Sequence, residues 1–245
     1  MPTTIHIIDG EKGGVGKSFF SQVLVESHLN KEIPHVIVDA DISNPDVSKK
    51  YPDNSQVTEF SELEKKQDLT DIIIELALEN NVILNLPGQI LSKLKNWFDV
   101  SNIFSVCKEN NISIVRWFVS NGSFDTIRIF KESLEYYSDI QNILVKNLKM
   151  EDEWGFLDED VELDRLMKKC VLPGKIIELP ICSSRERYSM EQHSLTFTEA
   201  MTSKELKLLA KQRVQRFINK AFEQIEAIKV IDINQSKSTT KKKAS

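Results

Sequence analysis

Residues 9–18 read DGEKGGVGKS, and this stretch decides the fold. It follows a run at residues 5–8 that holds three isoleucines and predicts a buried strand. Gly13, Gly14 and Gly16 lie within four positions, where they let the backbone adopt dihedral angles closed to other residues and expose consecutive N–H groups. With the positive end of a helix that begins near Lys17, those groups are expected to form a nest for the β- and γ-phosphates of a nucleotide.

Two side chains complete this predicted phosphate site. The Lys17 ammonium group would neutralise phosphate charge, and the Ser18 hydroxyl would ligate Mg²⁺. The general pattern G-x-x-x-x-G-K-[ST] has glycine at position 11, where this chain has Glu11. The alternative is a glycine-rich turn with two surface lysines, although three of the eight glycines in the chain lie within residues 13–16. The predicted nucleotide-binding residues of the loop are Glu11, Lys12, Gly13, Gly14, Val15, Gly16, Lys17, Ser18 and Phe19.

A second lysine, Lys12, makes the loop read K-G-G-x-G-K-[ST], which resembles the deviant Walker A loop of the ParA/MinD family of ATPases. In that family the early lysine reaches across a dimer interface to the nucleotide of the partner subunit. The resemblance therefore implies an ATP-dependent homodimer in which Lys12 and Lys17 both act in catalysis. Within the family, the chain is most similar to the small ATPases that plasmids and conjugative elements encode for stability or transfer.

Length and composition set limits on the organisation of the chain. With 245 residues, of which 40% are hydrophobic, it is long enough for one large domain and short for two. We expect a single domain over residues 1–233 and a disordered, lysine-rich tail over residues 234–245. The chain begins without a basic segment followed by an apolar one, and no run approaches the ~18 apolar residues of a membrane span. A cytoplasmic location without membrane contact is therefore predicted.

Two carboxylates follow the next apolar run, HVIVDAD at residues 35–41. The short, β-branched run predicts a central parallel strand, whose end carries Asp39 and Asp41 at the edge where α/β folds bind ligands. The D-x-D sequence resembles switch I of the same family. By that resemblance Asp41 would orient the water that attacks the γ-phosphate, and Asp39 would support the Mg²⁺ shell. The alternative is that both aspartates cap a helix or turn after the strand.

The segment VILNLPGQ at residues 82–89 resembles switch II of the family, where an aspartate usually ends the strand. Here that residue is Asn85, which can hydrogen-bond a metal-bound water but brings no charge. We expect Asn85 to contribute to the metal site with Ser18 and Asp39, and hydrolysis to be slow. Pro87 and Gly88, which follow, are expected to act as a hinge when the γ-phosphate binds and is released.

Strands and helices alternate along the rest of the chain. The ranges are residues 112–120, 140–149 and 175–180 for strands and residues 17–30, 68–80 and 124–137 for helices. Asn147 lies near the end of the second of these strands, where P-loop relatives often place an amide that reads the nucleotide base. It is therefore a candidate adenine contact, and an ordinary turn asparagine is the alternative.

Two charged segments lie in the last third of the chain. Residues 151–164 hold eight acidic residues and no basic one, which predicts a solvated, mobile loop or, alternatively, a patch for a protein partner. The last long helix is expected to begin at a capping box, either Thr196-x-x-Glu199 or Thr202-x-x-Glu205. Its apolar stripe indicates packing on the sheet. The lysines and arginines between would form a solvated face or, with the basic tail, a weak non-specific DNA surface.

The alternation of strands and helices predicts a doubly wound, mainly parallel α/β sheet with helices on both faces, the architecture of a P-loop NTPase. The leading hypothesis is a switch in which two subunits sandwich two Mg·ATP and separate after hydrolysis, with Lys12, Lys17 and Asp41 as catalytic residues. Such a protein would act in DNA partition, plasmid stability or conjugative mobilisation. Because no helix-turn-helix is evident, a DNA-binding adaptor protein would supply the sequence choice.

Two alternatives belong to other functional classes. A metabolic ligase or synthetase on the same scaffold would transfer phosphate to a substrate that bears a carboxylate. That hypothesis lacks a recognisable second substrate site and leaves Lys12 without a role. An adaptor that binds ATP, recruits partners and barely hydrolyses is the other alternative, and Asn85 favours it because the usual charge at that position is missing.

Overall fold

The computed structural model describes residues 2–61 and 68–228. The predicted tail at residues 234–245 therefore lies outside the described part of the chain. Within the described ranges, no helix combines the length and the apolar character that crossing a membrane requires.

A seven-stranded sheet forms the centre of the described chain. The strands are β1 (Thr3–Asp9), β2 (His35–Asp39), β3 (Ser55–Val57), β4 (Asn81–Asn85), β5 (Ile112–Ser120), β6 (Gln141–Asn147) and β7 (Lys175–Leu179). Their order in the sheet is β3-β2-β4-β1-β5-β6-β7, and every neighbouring pair is parallel. All the predicted strands are present, and β3 is a short edge strand that the sequence pattern did not predict.

Ten α-helices accompany the sheet within the described residues. They are α1 (Lys17–Asn30), α2 (Asp46–Lys50), α3 (Asp71–Ala77), α4 (Leu91–Val100), α5 (Ile103–Glu109), α6 (Phe124–Leu134), α7 (Val161–Lys169), α8 (Ser184–Gln192), α9 (Phe197–Thr202) and α10 (Leu208–Ala227). Helix α1 has the predicted bounds, whereas α3 is shorter than the predicted range of residues 68–80.

Apolar cores lie on both faces of the sheet, because successive strand residues point to opposite sides. Ile8 of β1 belongs to one core, together with Phe20 of α1 and Phe217 of α10. Ile7, the preceding residue, belongs to the other core, together with Leu94 of α4. Parallel strands covered on both faces confirm the predicted doubly wound α/β fold.

The strand order reverses direction beside β1. From β1 the chain passes through α1 to β2 and β3 and returns in β4, which pairs with β1; β5, β6 and β7 then follow on the other side. In open parallel sheets such a reversal leaves a crevice outside the carboxyl ends of the strands, and ligands bind there. The glycine-rich loop after β1 and the ends of β2 and β4 meet at this edge.

The acidic segment at residues 151–164 is not a solvated loop throughout, because helix α7 begins at Val161 and Trp154 is buried. Trp154 is buried and packs against residues of α6. Helix α7 begins in the second half of the segment, where the Asp160 carboxylate accepts a hydrogen bond from the Leu163 N–H (2.9 Å). The number of acidic residues was a poor guide to this segment, because the apolar side chains of Trp154, Leu157 and Leu163 lie between the acids and pack into the core.

The C-terminal helices begin differently from the prediction. The capping box is present, because the Glu199 N–H donates to the Thr196 hydroxyl (3.2 Å) and the Thr196 N–H donates to the Glu199 carboxylate (2.9 Å). It opens the short helix α9, which ends because Ser203 has an extended backbone (φ −57°, ψ 149°). The long helix α10 begins separately at Leu208, so both predicted starting points of that helix were wrong.

Candidate phosphate-binding site

The glycine-rich loop leads from the end of β1 into α1 through backbone conformations that glycine favours. Gly14 has φ 74° and Gly16 has φ 107°, both in the left-handed region. A Cβ atom on Gly16 would also lie 2.6 Å from Asn147 Nδ2, which is closer than real Cβ contacts. Glycine is therefore required at position 16 for two separate reasons, conformation and space.

Backbone N–H groups of the loop are left without protein partners. Within the described residues, the N–H groups of Gly13, Gly14, Gly16 and the first three residues of α1 donate to no protein acceptor. The first N–H groups of a helix lack intrahelical acceptors, and α1, with 14 residues, adds the positive end of its dipole. The loop therefore presents a concave set of donors that matches the oxygens of a phosphate group.

Lys17 lies inside this loop. Its ammonium group donates to the backbone oxygens of Gly10 (2.8 Å) and Lys12 (3.2 Å), and the residue is buried. Burial lowers the pKa of Lys17 from its ordinary value, whereas the negative charges of Asp9, Asp41 and Glu11 raise it. A cation held by carbonyl oxygens in a desolvated loop is placed to bind phosphate oxygens.

A buried ion pair that the sequence analysis missed supports the start of the loop. The Arg116 guanidinium donates from Nε to Asp9 Oδ2 (2.8 Å), and both side chains are buried. The other oxygen of Asp9 accepts a hydrogen bond from the Gly10 N–H (2.7 Å). The available signal was an arginine within the apolar run of β5, because a buried charge needs a partner on a neighbouring element. Removing either partner would leave a buried charge unpaired.

Lys12 points away from the loop toward α6. Its ammonium group lies 2.9 Å from Asp125 Oδ2 and donates to the Ser123 hydroxyl at 3.4 Å. This contact lowers the pKa of Asp125 from its ordinary value, mainly through the hydrogen bond from Lys12. The Lys12 side chain is 40% exposed, so it stays accessible to a second subunit. Its role across a dimer interface stays a prediction.

Glu11 ties the loop to the segment after β4. Its backbone oxygen accepts from the Gln89 N–H (2.9 Å), and a Cβ atom on Gly88 would lie 3.3 Å from the same oxygen. Burial raises the pKa of the Glu11 carboxyl above its ordinary value, and the nearby Leu91 N–H at the start of α4 lowers it. Glu11 therefore contacts the switch II-like segment, and its predicted contact with the nucleotide stays a prediction.

The ends of β2 and β4 are joined by buried side chains. Asn85 Nδ2 donates to Asp39 Oδ1 (2.9 Å), and Asn85 Oδ1 accepts from the Ser21 hydroxyl of α1 (2.9 Å). The other Asp39 oxygen accepts from the N–H groups of Val47 (3.2 Å) and Ser48 (3.0 Å), which caps α2. The sequence analysis did not single out Ser21. Both predicted metal-site residues thus already have protein partners.

Asp41 lies two residues beyond the strand and is half-buried. Its carboxylate accepts from the Asn44 N–H (3.2 Å) in the turn that leads to α2. Its negative charge also raises the pKa of Lys17, so the carboxylate is near the phosphate loop. Asp41 therefore has the turn contact that the alternative interpretation expects, at a position near the site.

Asn147, at the end of β6, forms a hydrogen bond with the glycine-rich loop. Its Nδ2 donates to the Val15 backbone oxygen (2.8 Å), and its Oδ1 accepts from the Lys149 N–H (3.1 Å). The predicted adenine contact would compete with these hydrogen bonds. Phe19 turns its ring away from the loop into the core against Phe197 (5.5 Å between centroids), so only its backbone N–H is available at the site.

These residues fit the phosphate groups of a nucleotide, because free N–H groups, the Lys17 ammonium group and the Ser18 hydroxyl lie at one end of α1. Ser18 is half-buried and is the hydroxyl that could ligate Mg²⁺. In the described part of the chain, no three His, Cys, Asp or Glu side chains are grouped to hold a metal. Mg²⁺ is usually bound by one or two protein ligands together with phosphates and waters. Strand β1, the glycine-rich loop and α1 thus form a P-loop.

The chain is similar to Protein MobD of Acidithiobacillus ferrooxidans, with 24% identity over 241 residues that cover 93% of this chain and 99% of MobD. No protein-family model matches the chain. Among solved structures, it is similar to a nucleotide-binding protein from Archaeoglobus fulgidus in complex with ADP (TM-score 0.47, 15% identity, 74% of this chain and 83% of that chain). It is also similar to a protein from Borrelia burgdorferi B31, described as a plasmid partition protein bound to AMPPNP (TM-score 0.49, 12% identity, 90% and 100%).

Proposed function

We propose that this protein is an ATP-binding and ATP-hydrolysing switch that dimerises when ATP is bound and acts in DNA partition, plasmid stability or conjugative mobilisation. The observation that carries the proposal is the set of free N–H groups between Gly13 and Phe19, with the Lys17 ammonium group inside the same loop. This geometry supports phosphate binding. The choice of ATP, the dimer and the cellular process are inferred from the resemblance of the loop to the ParA/MinD pattern.

Each residue of the site has a proposed role in phosphoryl transfer, which depends mainly on positioning and charge stabilisation. Lys17 exchanges its two backbone oxygens for phosphate oxygens. Ser18 is the protein ligand of Mg²⁺, which when bound would neutralise charge on the phosphates. Asp41 is assigned the orientation of the attacking water, because its carboxylate lies at the sheet edge, near enough to Lys17 to raise the pKa of that lysine. Glu11 transmits the state of the loop to the segment after β4 through the hydrogen bond that its backbone oxygen accepts from the Gln89 N–H.

Dimerisation is assigned to Lys12. In the structure this lysine forms an ion pair with Asp125 of the same subunit. An ion pair with both side chains partly exposed is screened by water and exchanges readily for a stronger partner. The triphosphate of a facing subunit is such a partner, because it concentrates several negative charges in one place. ATP would thereby favour the dimer, and loss of the γ-phosphate would release it.

A second candidate function is an ATP-binding adaptor with very slow turnover. The observation in its favour is Asn85, which stands where the family usually has an aspartate and whose amide atoms are both engaged by Asp39 and Ser21. Under this proposal the chain still binds ATP and still dimerises. It differs from the first in that the ATP-bound dimer persists, since no rapid hydrolysis ends it.

DNA contact is proposed for the exposed face of α10, with a DNA-binding adaptor protein supplying the sequence choice. Arg216 and Lys220 are exposed on this face, one turn apart. Arg213 lies on the same face, but its guanidinium donates to the buried Glu186 carboxylate (2.9 Å), so it serves the packing of α8. Two free cations predict weak, non-specific and salt-dependent binding.

The experiment that tests the proposed function measures the mass of the protein in solution without nucleotide, with ADP and with Mg·ATP. Light scattering coupled to size exclusion is expected to show a doubled mass with Mg·ATP alone. Lys17→Ala is the matched control. It removes charge-assisted hydrogen bonds to phosphate, so ATP affinity should fall about 10- to 100-fold. Phosphate release in the same samples separates the hydrolysing switch from the slow adaptor.

Two results would contradict the proposal. Unchanged ATP affinity in Lys17→Ala would show that the glycine-rich loop is not the phosphate site. A constant mass despite measured ATP binding would remove the dimerisation switch. The metabolic ligase or synthetase would then become the leading alternative.

A further inference from the structure

Asn85 links elements that lie far apart in the sequence. Its Nδ2 donates to Asp39 and its Oδ1 accepts from the hydroxyl of Ser21, each at 2.9 Å. An ionised carboxylate accepts hydrogen bonds only, so the amide nitrogen must face Asp39, and the orientation of the Asn85 side chain is fixed by its partners. All three residues are fully buried. The link therefore runs from α1 through the end of β4 to the end of β2 inside the core.

All the hydrogen bonds that the Asp39 carboxylate accepts come from uncharged N–H groups. Oδ1 accepts from Asn85 Nδ2 and from the Asp41 N–H (3.3 Å), and Oδ2 accepts from the N–H groups of Val47 and Ser48 (3.2 and 3.0 Å). Three of these donors belong to the segment that follows β2, whereas Asn85 comes from the neighbouring strand. The hydrogen bond from Asn85 therefore fixes Asp39, and with it the start of the segment that carries Asp41, to the centre of the sheet.

An aspartate at position 85 would change this contact from attraction to repulsion. It would offer no N–H group to Asp39, and two carboxylates would lie at hydrogen-bond distance in a fully buried site. A like charge at this distance disfavours ionisation of the pair, and an uncompensated buried charge is strongly destabilising. The neutral amide at position 85 avoids this repulsion and donates a hydrogen bond to Asp39 instead.

We infer that Asn85 is a positioning residue that acts through Asp39 on Asp41, and that it is not a ligand of Mg²⁺. Its amide holds the carboxylate that accepts the Asp41 N–H, so it orients the switch I-like segment while the metal is bound elsewhere, at Ser18 and the phosphates. The part about Asp41 rests on the proposed function. The contact with Asp39 itself is tested without nucleotide, so the two parts can fail separately.

The first experiment measures thermal unfolding of the nucleotide-free protein for Asn85→Asp, Asp39→Asn and the double variant Asp39→Asn/Asn85→Asp. Asn85→Asp is expected to lower Tm by about 5–10 °C, as expected for an uncompensated buried charge in a chain of this size. The double variant reverses donor and acceptor, so it should recover at least half of that loss. Ser21→Ala is the milder variant that keeps the protein folded, and it should lower Tm by about 2–4 °C.

The second experiment titrates Mg²⁺ in the presence of ATP and records the midpoint of ATP binding together with turnover. For a positioning residue, the Mg²⁺ midpoint of Asn85→Asp and Ser21→Ala should move less than about twofold while turnover falls about tenfold. A metal ligand would behave differently. An added carboxylate in the metal shell would lower the Mg²⁺ midpoint of Asn85→Asp, and that result would overturn the inference. So would an unchanged Tm in Asn85→Asp, or a double variant that is less stable than both single variants.

Discussion

The ammonium group of Lys12 lies 2.9 Å from the carboxylate of Asp125 in the same chain. Asp125 stands in the first turn of α6, and the Lys12 and Asp125 side chains are 40% and 54% exposed. The lysine that would cross a dimer interface thus has an acidic partner on its own subunit, in contact with water. Exchange of that partner for a phosphate costs little, because a screened surface pair contributes little to stability.

Replacing Lys12 separates nucleotide binding from dimerisation. Lys12→Ala is expected to abolish the mass doubling with Mg·ATP while ATP affinity of the monomer changes by less than about threefold, since Lys17 and the free N–H groups remain. Light scattering and calorimetry measure the two properties on the same preparation. Asp125→Asn is the matched control, because it frees Lys12 without removing it and should dimerise at least as readily. A Lys12→Ala protein that still doubles its mass would refute the cross-interface role.

Asp41 is expected to control turnover and leave binding intact. Asp41→Ala removes the carboxylate proposed to orient the water, and loss of such a group typically slows reaction by about 100-fold or more. ATP affinity should stay close to that of the unchanged protein, and the ATP-bound dimer should persist longer. Phosphate release under single-turnover conditions measures the chemical step directly.

The control for this variant is Asp53→Ala, an exposed aspartate that precedes β3 and so lies toward the opposite edge of the sheet. It should hydrolyse ATP at the unchanged rate. Normal turnover in Asp41→Ala would assign that carboxylate to the turn, where it accepts the Asn44 N–H, and to no role in hydrolysis.

The fold was readable from the sequence because its signals are local. The glycine-rich loop lies between an apolar run, which predicted β1, and a helical spacing, which predicted α1 with its observed bounds. Alternation of strands and helices then predicts a parallel sheet without knowledge of any contact. Strand β3 was missed because a three-residue edge strand with exposed residues has no apolar period.

The contacts of the site were less predictable, because they join residues that are distant in sequence. Arg116 pairs with Asp9, 107 positions away, and Asn85 reaches Ser21, 64 positions away. A charged or polar residue in an apolar run indicates that a hydrogen-bonding partner is needed. Which residue supplies that partner depends on the register of the sheet, which the sequence pattern does not give. The same limit explains Asn147, whose contact with the Val15 backbone oxygen no local pattern encodes.

Asn147 is expected to support the loop and not to read the base. Asn147→Ala removes the hydrogen bond to Val15 and leaves a cavity beside Gly16, so the loop loses part of its rigidity. Affinity for ATP, GTP and inorganic triphosphate should fall by the same factor, about tenfold. Competition binding with the three ligands measures this.

Comparing the affinities for the three ligands distinguishes support of the loop by Asn147 from contact with the adenine base. If its amide contacts adenine, Asn147→Ala should lose affinity for ATP and keep its affinity for inorganic triphosphate, which has no base. Asn121, a turn residue before α6, offers a control in Asn121→Ala, which should leave all three affinities unchanged.

Three histidines in the core predict that the protein loses stability in mild acid. The rings of His6, His28 and His35 are in contact, with centroids 5.0 and 5.3 Å apart across His28. Burial lowers the pKa of His28 from 6.5 to about 4 and lowers the pKa of the other two, and nearby positive charge, including that of Lys31, adds to the shift at His28. These rings are therefore neutral in the folded protein at neutral pH.

The direction of the pH effect follows from these lowered pKa values. Below about pH 6.5 the unfolded chain binds protons that folded His28 does not, so its contribution to stability is complete above that pH and is lost toward pH 4. Between pH 7.5 and pH 5 one such histidine should lower the free energy of unfolding by about 2 kcal/mol. His28→Leu should therefore lose about 2 kcal/mol less over this interval in urea unfolding, whereas His193→Gln, at an exposed position, should follow the unchanged protein. Equal pH dependence in His28→Leu and the unchanged protein would show that His28 becomes protonated without unfolding.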